Sequence, residues 1–158
     1  GGGGEDSTKV RGVGERGALS MCADSYLLGV GFQGFSTYFQ YLYPPQKTQW
    51  IFEPHNDFYM VFAELGLLGF ILFIVIMYLI FRQALESMRW FRDVYENRDI
   101  HENKWMQAVA VGFLASFVSY MVFSQFISGL MFNSLFMMLV ALIFSLSKFT
   151  IQSRIEGA

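Results

Sequence analysis

The sequence contains almost no charge over two long stretches, and this excludes an ordinary soluble domain. No charged residue occurs in 65–81 or 106–147, and the chain is 54% hydrophobic but only 15% charged. Soluble domains contain about 45–50% apolar residues with glycine included. The second stretch is long enough for two helices of about 20 residues that cross a membrane. The sequence therefore predicts an all-α integral membrane protein.

The chain has few cysteines and histidines and a small net charge. These features argue against a disulfide, a metal site and a nucleic-acid partner. Cys22 is the only cysteine, so the chain cannot form an internal disulfide. The two histidines, His55 and His101, are expected on opposite sides of the membrane, and no Cys/His cluster accompanies them. We therefore expect no metal ion and no other cofactor. A net charge of −2 gives no reason to expect nucleic acid as a partner.

The alternation of polar and apolar stretches predicts six segments. They are an external loop region with short interfacial helices (1–57), a membrane-spanning helix (58–81), an amphipathic loop (82–105), two further spanning helices (106–125 and 130–147) and a polar tail (148–158). Lysine and arginine favour cytoplasmic loops, which places 82–105 and the tail in the cytoplasm and 1–57 outside. Because 1–57 also carries Lys9, Arg11, Arg16 and Lys47, this rule alone leaves the orientation open.

Three spanning helices provide few walls for a site within a membrane. The sequence opens on Gly1 to Gly4 and has no initiating methionine, so we expect a fragment of a longer protein. Either further spanning helices precede residue 1, or this chain assembles with others. In both cases the missing helices would be partners of this chain.

His55 is the first candidate for chemistry, because it lies where the loop region meets the first spanning helix. Pro54 restricts the backbone before it, and Asn56 or Asp57 is suited to cap the helix that follows. A neutral imidazole at this surface can accept a proton from a hydroxyl group. A histidine that only anchors to headgroups or caps the helix is an equally good interpretation.

Three further residues are candidates for substrate binding. The guanidinium of Arg16 suits a phosphate group, although a solvated loop arginine is the simpler interpretation. Glu64 lies about two turns into the first span, and an intramembrane carboxylate indicates a functional site by default. It would otherwise lie at headgroup level or pair with a base on another helix. Tyr43 belongs to an aromatic cluster that suits interfacial anchoring or stacking on a sugar.

The glycines at 29, 31 and 34 form a formal G-x-G-x-x-G, but a dinucleotide site is excluded. We expect no buried strand before these glycines and no regular helix after them through Pro45. Glycine tolerates left-handed backbone and close approach of other atoms. The pattern therefore predicts a tight turn that lets backbone amides or neighbouring helices approach.

The order of these pieces resembles the C-terminal half of the O-antigen ligase/O-antigen polymerase superfamily. Arg16 opens a segment that ends in Leu27-Leu28-Gly29-Val30-Gly31-Phe32, and an aromatic loop follows. His55-Asn56 comes next, then nine residues, then Gly66-Leu67-Leu68-Gly69, which matches the family pattern H-N-x9-G-x-x-G. The resemblance covers about residues 14–81. Family members commonly carry a tryptophan near the position of Ser20, which this chain lacks.

The resemblance implies a metal-independent, inverting glycosyltransferase of the bacterial inner membrane with its active site facing the periplasm. The donor would be a glycan on undecaprenyl diphosphate, and the acceptor a hydroxyl of lipid A–core oligosaccharide or of another glycan. By position, Arg16 would contact the diphosphate and His55 would activate the acceptor, with Asn56, Glu64 and Tyr43 as further substrate contacts. The fold would be the C-terminal part of a larger multi-spanning GT-C-like bundle, and we expect this part alone to be inactive.

Several functions fit the sequence, and O-antigen ligase is favoured among them. O-antigen repeat-unit polymerase and O-linked protein oligosaccharyltransferase are alternatives within the family. Outside it, the chain would be a transporter segment, a membrane assembly subunit or an inactive truncated remnant. Substitution of Arg16 and His55 separates these classes, because only a transferase needs both side chains.

Overall fold

The computed structural model describes residues 3–42, 54–97, 103–127, 129 and 133–156. Within these ranges the chain forms five helices and no strand, so the predicted all-α architecture is confirmed. The helices are α1 (Gly3–Asp24), α2 (Phe35–Leu42), α3 (Asp57–Asn97), α4 (Asn103–Phe123) and α5 (Ser134–Glu156).

Three of these helices are long and apolar enough to cross a membrane, as the sequence predicts. The spanning stretches are Asp57–Asp93, Trp105–Phe123 and Ser134–Gln152. Large apolar side chains on them are exposed, such as Leu72, Val122 and Phe144. Such surfaces favour contact with lipid or with other helices rather than with water. The chain is therefore a multi-pass membrane protein.

Helix α3 continues well beyond residue 81. Between Phe70 and Asn97 there is no glycine or proline, so nothing in the sequence breaks the helix there. The amphipathic stretch predicted at 82–105 is thus helical as far as Asn97 and continuous with α3. Its position relative to the membrane surface stays a prediction.

The chain divides into two compact units. The first comprises Gly1–Ile74 with Phe123–Met131, and the second comprises Val75–Val122 with Phe132–Ala158. Inside the second unit, Phe117 packs against Phe81 and Phe136, with ring centroids 6.5 and 6.3 Å apart. The Gln83 amide donates a hydrogen bond to the Ser147 hydroxyl in the same unit. Every candidate residue that the structure describes lies in the first unit.

The core of the first unit is formed where α1, α2 and the start of α3 meet. Its buried apolar members are Ala18, Met21, Phe35, Phe39 and Ala63. Gly17 lets α2 approach α1 closely, because a Cβ at this position would overlap the ring of Phe39. The segment predicted as a loop region with short helices thus contains a 22-residue helix packed on α2.

Candidate functional site

Gly66 interrupts α3 nine residues after it begins. Its backbone has φ 68° and ψ −169°, a conformation that is essentially restricted to glycine. The normal helical hydrogen bonds cannot form across such a residue, so nearby carbonyl and amide groups need other partners. The first glycine of the G-x-x-G pair is therefore a required break in the helix.

The glycine-rich loop after α1 supplies these partners. The amides of Val30 and Gly31 donate to the carbonyls of Ala63 and Glu64, each at 2.9 Å. In return, the amide of Leu67 donates to the carbonyl of Leu27 at 2.9 Å. The predicted tight turn is confirmed, and its amides approach the broken turn of α3. The expectation that no regular helix follows these glycines is wrong, because α2 begins at Phe35.

Glycine is needed on both sides of this contact. A Cβ on Gly29 would overlap the carbonyl of Glu64, and a Cβ on Gly66 would overlap the backbone of Leu27 and Leu28. Both glycines also have positive φ angles, of 83° and 68°. Gly69 has a more local role, since a Cβ there would overlap the Leu65 side chain one turn earlier.

The Glu64 carboxylate binds the backbone of the same loop. One oxygen accepts a hydrogen bond from the amide of Gln33 at 2.9 Å, and the other accepts from the amide of Phe35 at 3.2 Å. Phe35 is the first residue of α2, where amides lack helical partners and a negative charge is favourable. Glu64 is 3% exposed, so these bonds satisfy a carboxylate that is nearly sealed from solvent.

Asp57 lies seven residues before Glu64 on the same face of α3, and it has a similar role. Its side chain is fully buried and accepts a hydrogen bond from the amide of Gly129. The Asp57 amide donates to the carbonyl of Ser124 at 2.9 Å. The start of α3 therefore holds the connection between α4 and α5.

Asn56 is the N-cap of α3, one of the two capping residues that the sequence allows. Its side-chain oxygen accepts hydrogen bonds from the amides of Phe58 and Tyr59 at 3.0 and 3.4 Å. Its side-chain nitrogen donates to the Gln125 side chain at 3.5 Å, so Asn56 also reaches the α4–α5 connection. The capping role is confirmed, whereas contact with a substrate stays a prediction.

His55 lies between two buried residues but is itself exposed. Its φ angle of 51° is left-handed, which is uncommon for any residue except glycine. This turn buries Pro54 and Asn56 while the imidazole remains accessible just before the helix. A costly backbone conformation at an exposed titratable residue suits a functional position.

Arg16 is an exposed residue of α1, and the opposite face of the helix carries the core residues Ala18 and Met21. Within the described ranges its guanidinium makes no ion pair or hydrogen bond. Cys22 is buried on the core side, and burial raises the pKa of its thiol. Arg16 is thus carried on a well-packed helix with its charge free to meet a ligand.

The first unit brings Arg16, His55, Asn56 and Glu64 into one compact body, yet in the described ranges no hydrogen bond or ion pair joins the Arg16 and His55 side chains. Tyr43 lies outside the described residues. The part of the chain that the structure describes contains no group of three potential metal ligands among histidine, cysteine and acidic side chains.

Sequence reasoning did not identify the two loops that Asp57 and Glu64 bind. Both residues are acidic and lie in an otherwise apolar helical stretch, which marks them as needing partners. The partners are backbone amides, however, and any residue except proline carries one. The sequence therefore indicates that the two carboxylates need partners, but it does not identify Gly129 or Gln33 as those partners.

The sequence model of the family described as O-antigen ligase matches residues 4–74 of the chain. The match contains Arg16, the glycine-rich loop and the whole H-N-x9-G-x-x-G motif. No curated protein and no solved structure matches the chain. The match ends where the first continuous stretch of the first unit ends, at Ile74. Residues 4–74 are thus similar to the O-antigen ligase family, and the resemblance predicted from the sequence is confirmed over this part of the chain.

Proposed function

We propose that this chain is part of a membrane glycosyltransferase that moves a glycan from undecaprenyl diphosphate to an acceptor hydroxyl. The observation that carries the proposal is the family match over 4–74, which includes both Arg16 and the motif that begins at His55. The reaction would take place at the periplasmic face of the bacterial inner membrane. The basic residues of 82–105 support this orientation, since basic segments at the ends of spanning helices favour the cytoplasm.

The proposed reaction is a single displacement at the anomeric carbon of the donor. The acceptor oxygen forms a bond to this carbon while the bond to the diphosphate oxygen breaks and its electron pair stays with the diphosphate. The hydroxyl proton moves to a base. One direct displacement inverts the configuration, and no step calls for a metal ion.

His55 is the proposed base. It is exposed just before a capped helix, and its imidazole makes no hydrogen bond or ion pair with the described side chains. The free ring nitrogen of a neutral imidazole can accept a proton from a hydroxyl group. The rigid cap at Asn56 fixes the backbone beside it, which favours a defined position for the ring.

Arg16 is the proposed partner of the diphosphate. The leaving group gains negative charge as the bond breaks, and a fixed guanidinium stabilises that charge with two parallel hydrogen bonds. The packed face of α1 holds this residue in place while its charged end stays exposed. Lysine keeps the charge but lacks the planar fork, so it is a poor substitute.

Asn56 and Tyr43 are proposed substrate contacts of lesser weight. From the sequence Glu64 is expected to be a third, but both of its carboxylate oxygens accept hydrogen bonds from backbone amides. Asn56 and Glu64 already bind backbone amides, which leaves each of them limited capacity for a further ligand. The acceptor would be lipid A–core oligosaccharide or another glycan. Membrane lipids and additional N-terminal spanning helices would complete the walls of the site.

The description of the family favours ligase over polymerase activity. The molecule that receives the glycan distinguishes ligase activity, polymerase activity and protein glycosylation. A ligase attaches the glycan to lipid A–core, a polymerase extends the repeat units on the lipid carrier, and an oligosaccharyltransferase modifies a protein. The test is transfer by the intact protein in membranes, with the labelled donor followed into these three products. Arg16→Lys should strongly reduce the amount of product, because lysine lacks the planar fork. Arg89→Lys, at an exposed arginine in the second unit, is the control and should leave it unchanged.

A further inference from the structure

We infer that Glu64 is a positioning residue, which fixes the loop that follows the Arg16 helix onto the helix that carries His55. This inference rests on the proposed function, because it concerns how the two proposed catalytic groups are aligned. It differs from the sequence-based expectation that Glu64 contacts the substrate.

The loop at 27–35 binds α3 through five hydrogen bonds around residues 63–67. Three are between backbone groups and involve Val30, Gly31 and Leu67, each at 2.9 Å. The other two run from the amides of Gln33 and Phe35 to the Glu64 carboxylate. Glu64 is the only side chain among these acceptors, and it binds both the loop and the first turn of α2. Its removal would leave two amides without this partner, and the amide of Phe35 is in a buried place where water cannot replace it.

The same loop is firmly attached to the helix that carries Arg16. The amide of Leu27 donates to the carbonyl of Cys22 at 2.8 Å, and the Ser25 hydroxyl donates to that carbonyl at 3.0 Å. The amide of Gly29 donates to the Ser25 hydroxyl at 2.9 Å. The buried face of α1 also shares one core with Ala63, the neighbour of Glu64. A shift of the loop would therefore move α1 and Arg16 with it.

The first two turns of α3 connect Glu64 to His55. Asn56 caps this stretch, and the helix is regular until the break at Gly66. Glu64 and the helix start are therefore parts of one rigid piece. Since one end bears His55 and the other holds the loop, Glu64 sets the spacing between His55 and Arg16.

The surroundings of Glu64 favour positioning over substrate binding. The residue is 3% exposed, and both of its oxygens accept hydrogen bonds from backbone amides. A carboxylate can accept a hydrogen bond at each of its two oxygens. Glutamine offers one oxygen and would direct its amino group at the second amide. We therefore expect Glu64→Gln to weaken the attachment and Glu64→Ala to remove it.

A double-mutant cycle on the intact protein tests this inference. Alone, Glu64→Ala should lower glycan transfer about tenfold or more, because small displacements of catalytic groups have effects of this size. In an Arg16→Lys background, the same change should lower the residual transfer by less than about threefold, since the alignment of a weakened group matters less. Independent losses that multiply would indicate that Glu64 binds the substrate itself and would overturn the inference.

A second measurement follows the loop without any need for activity. Val30→Cys in a Cys22→Ala background places one half-buried thiol on the docked loop. In detergent, its reaction with a maleimide should be slow with Glu64 present and about tenfold faster with Glu64→Ala, because local opening exposes it. An unchanged rate would overturn the inference even if transfer were lost.

Glu86→Gln is the matched control for both measurements. Glu86 is on the same helix and pairs with Arg82 at 2.7 Å, but this pair is solvent-exposed and binds no loop. It should leave transfer and labelling unchanged, since exposed ion pairs contribute little. If Arg16→Lys and His55→Asn both retain full transfer, the proposed function fails. The labelling result would still decide whether Glu64 fixes the loop.

Discussion

Gly29 and Gly66 face each other so closely that neither can carry a side chain. A Cβ on Gly29 would lie 2.5 Å from the Gly66 nitrogen, and a Cβ on Gly66 would overlap the carbonyl oxygen of Leu27. Each has a positive φ angle that a side chain would make costly. The contact joins the glycine-rich loop to the broken turn of α3. Two short motifs far apart in the sequence thus form one structural element.

The first prediction concerns Gly66→Ala. The new methyl group would meet backbone atoms of Leu27 and Leu28 and would also require a left-handed φ angle. We expect the free energy of unfolding to fall by at least about 2 kcal/mol. Thermal melting of the purified protein in detergent measures this loss.

Gly112→Ala is the matched control for that change. Gly112 lies within α4, and a Cβ added to it would have open space, with no neighbouring atom within 4 Å. Because alanine favours helix over glycine, this variant should be as stable as the parent or slightly more so. Equal melting temperatures for both variants would contradict the described contact at Gly66.

The second prediction concerns the cap at Asn56. Asn56→Ala removes the oxygen that accepts the amides of Phe58 and Tyr59, and it should cost about 1 kcal/mol. Asn56→Asp keeps an acceptor and adds a charge that suits a helix N-terminus, so it should retain the stability. The comparison uses melting temperatures of the two variants. Equal losses for alanine and aspartate would show that the capping bond contributes nothing.

The third prediction concerns Asp57. Asp57→Ala should cost about 1–3 kcal/mol, because the half-buried amide of Gly129 loses its partner on the buried Asp57 side chain. The turn at 124–127 should then open more readily. Limited proteolysis in detergent, read as the rate of cleavage in this turn, measures the opening. Unchanged cleavage would mean that the Asp57 carboxylate does not hold the α4–α5 connection.

The fourth prediction concerns the pH dependence of Cys22 labelling. Burial raises the pKa of this thiol, so the folded protein holds less of the reactive thiolate at neutral pH than a free cysteine. Labelling by a maleimide should be slow at pH 7, should rise with pH into the alkaline range, and should become fast on unfolding in detergent. A rate at pH 7 equal to that of the unfolded chain would contradict the burial of α1 on its core.

Much of the fold could be predicted from the sequence, because long uncharged stretches have few options in a membrane. The sequence predicts three spanning helices, and the described residues contain three helices long and apolar enough to cross a membrane. The extension of α3 to Asn97 was less visible, since charged residues after Arg82 suggest a loop. The helix continues there because residues 71–97 contain no glycine or proline, and charged side chains do not break a helix.

The site was predictable where a residue acts on its own neighbours in sequence. Asn56 and the glycine-rich turn are examples, because capping and positive φ angles are local properties. The attachment of Gln33 to Glu64 was not predictable, since it joins residues 31 positions apart through a backbone amide. Tertiary contacts of this kind leave no pattern in a single sequence.

The central claim is that His55 acts as the base in glycan transfer, and His55→Asn tests it most directly. Asparagine tolerates the left-handed backbone at this position but cannot accept the proton, so folding should be preserved while catalysis is lost. The measurement is transfer of a labelled glycan by the intact protein in membranes, with insertion and melting temperature checked in parallel. We predict normal insertion and a loss of transfer of at least about a hundredfold. Full transfer by His55→Asn would contradict the account and leave His55 as a surface residue beside a helix cap.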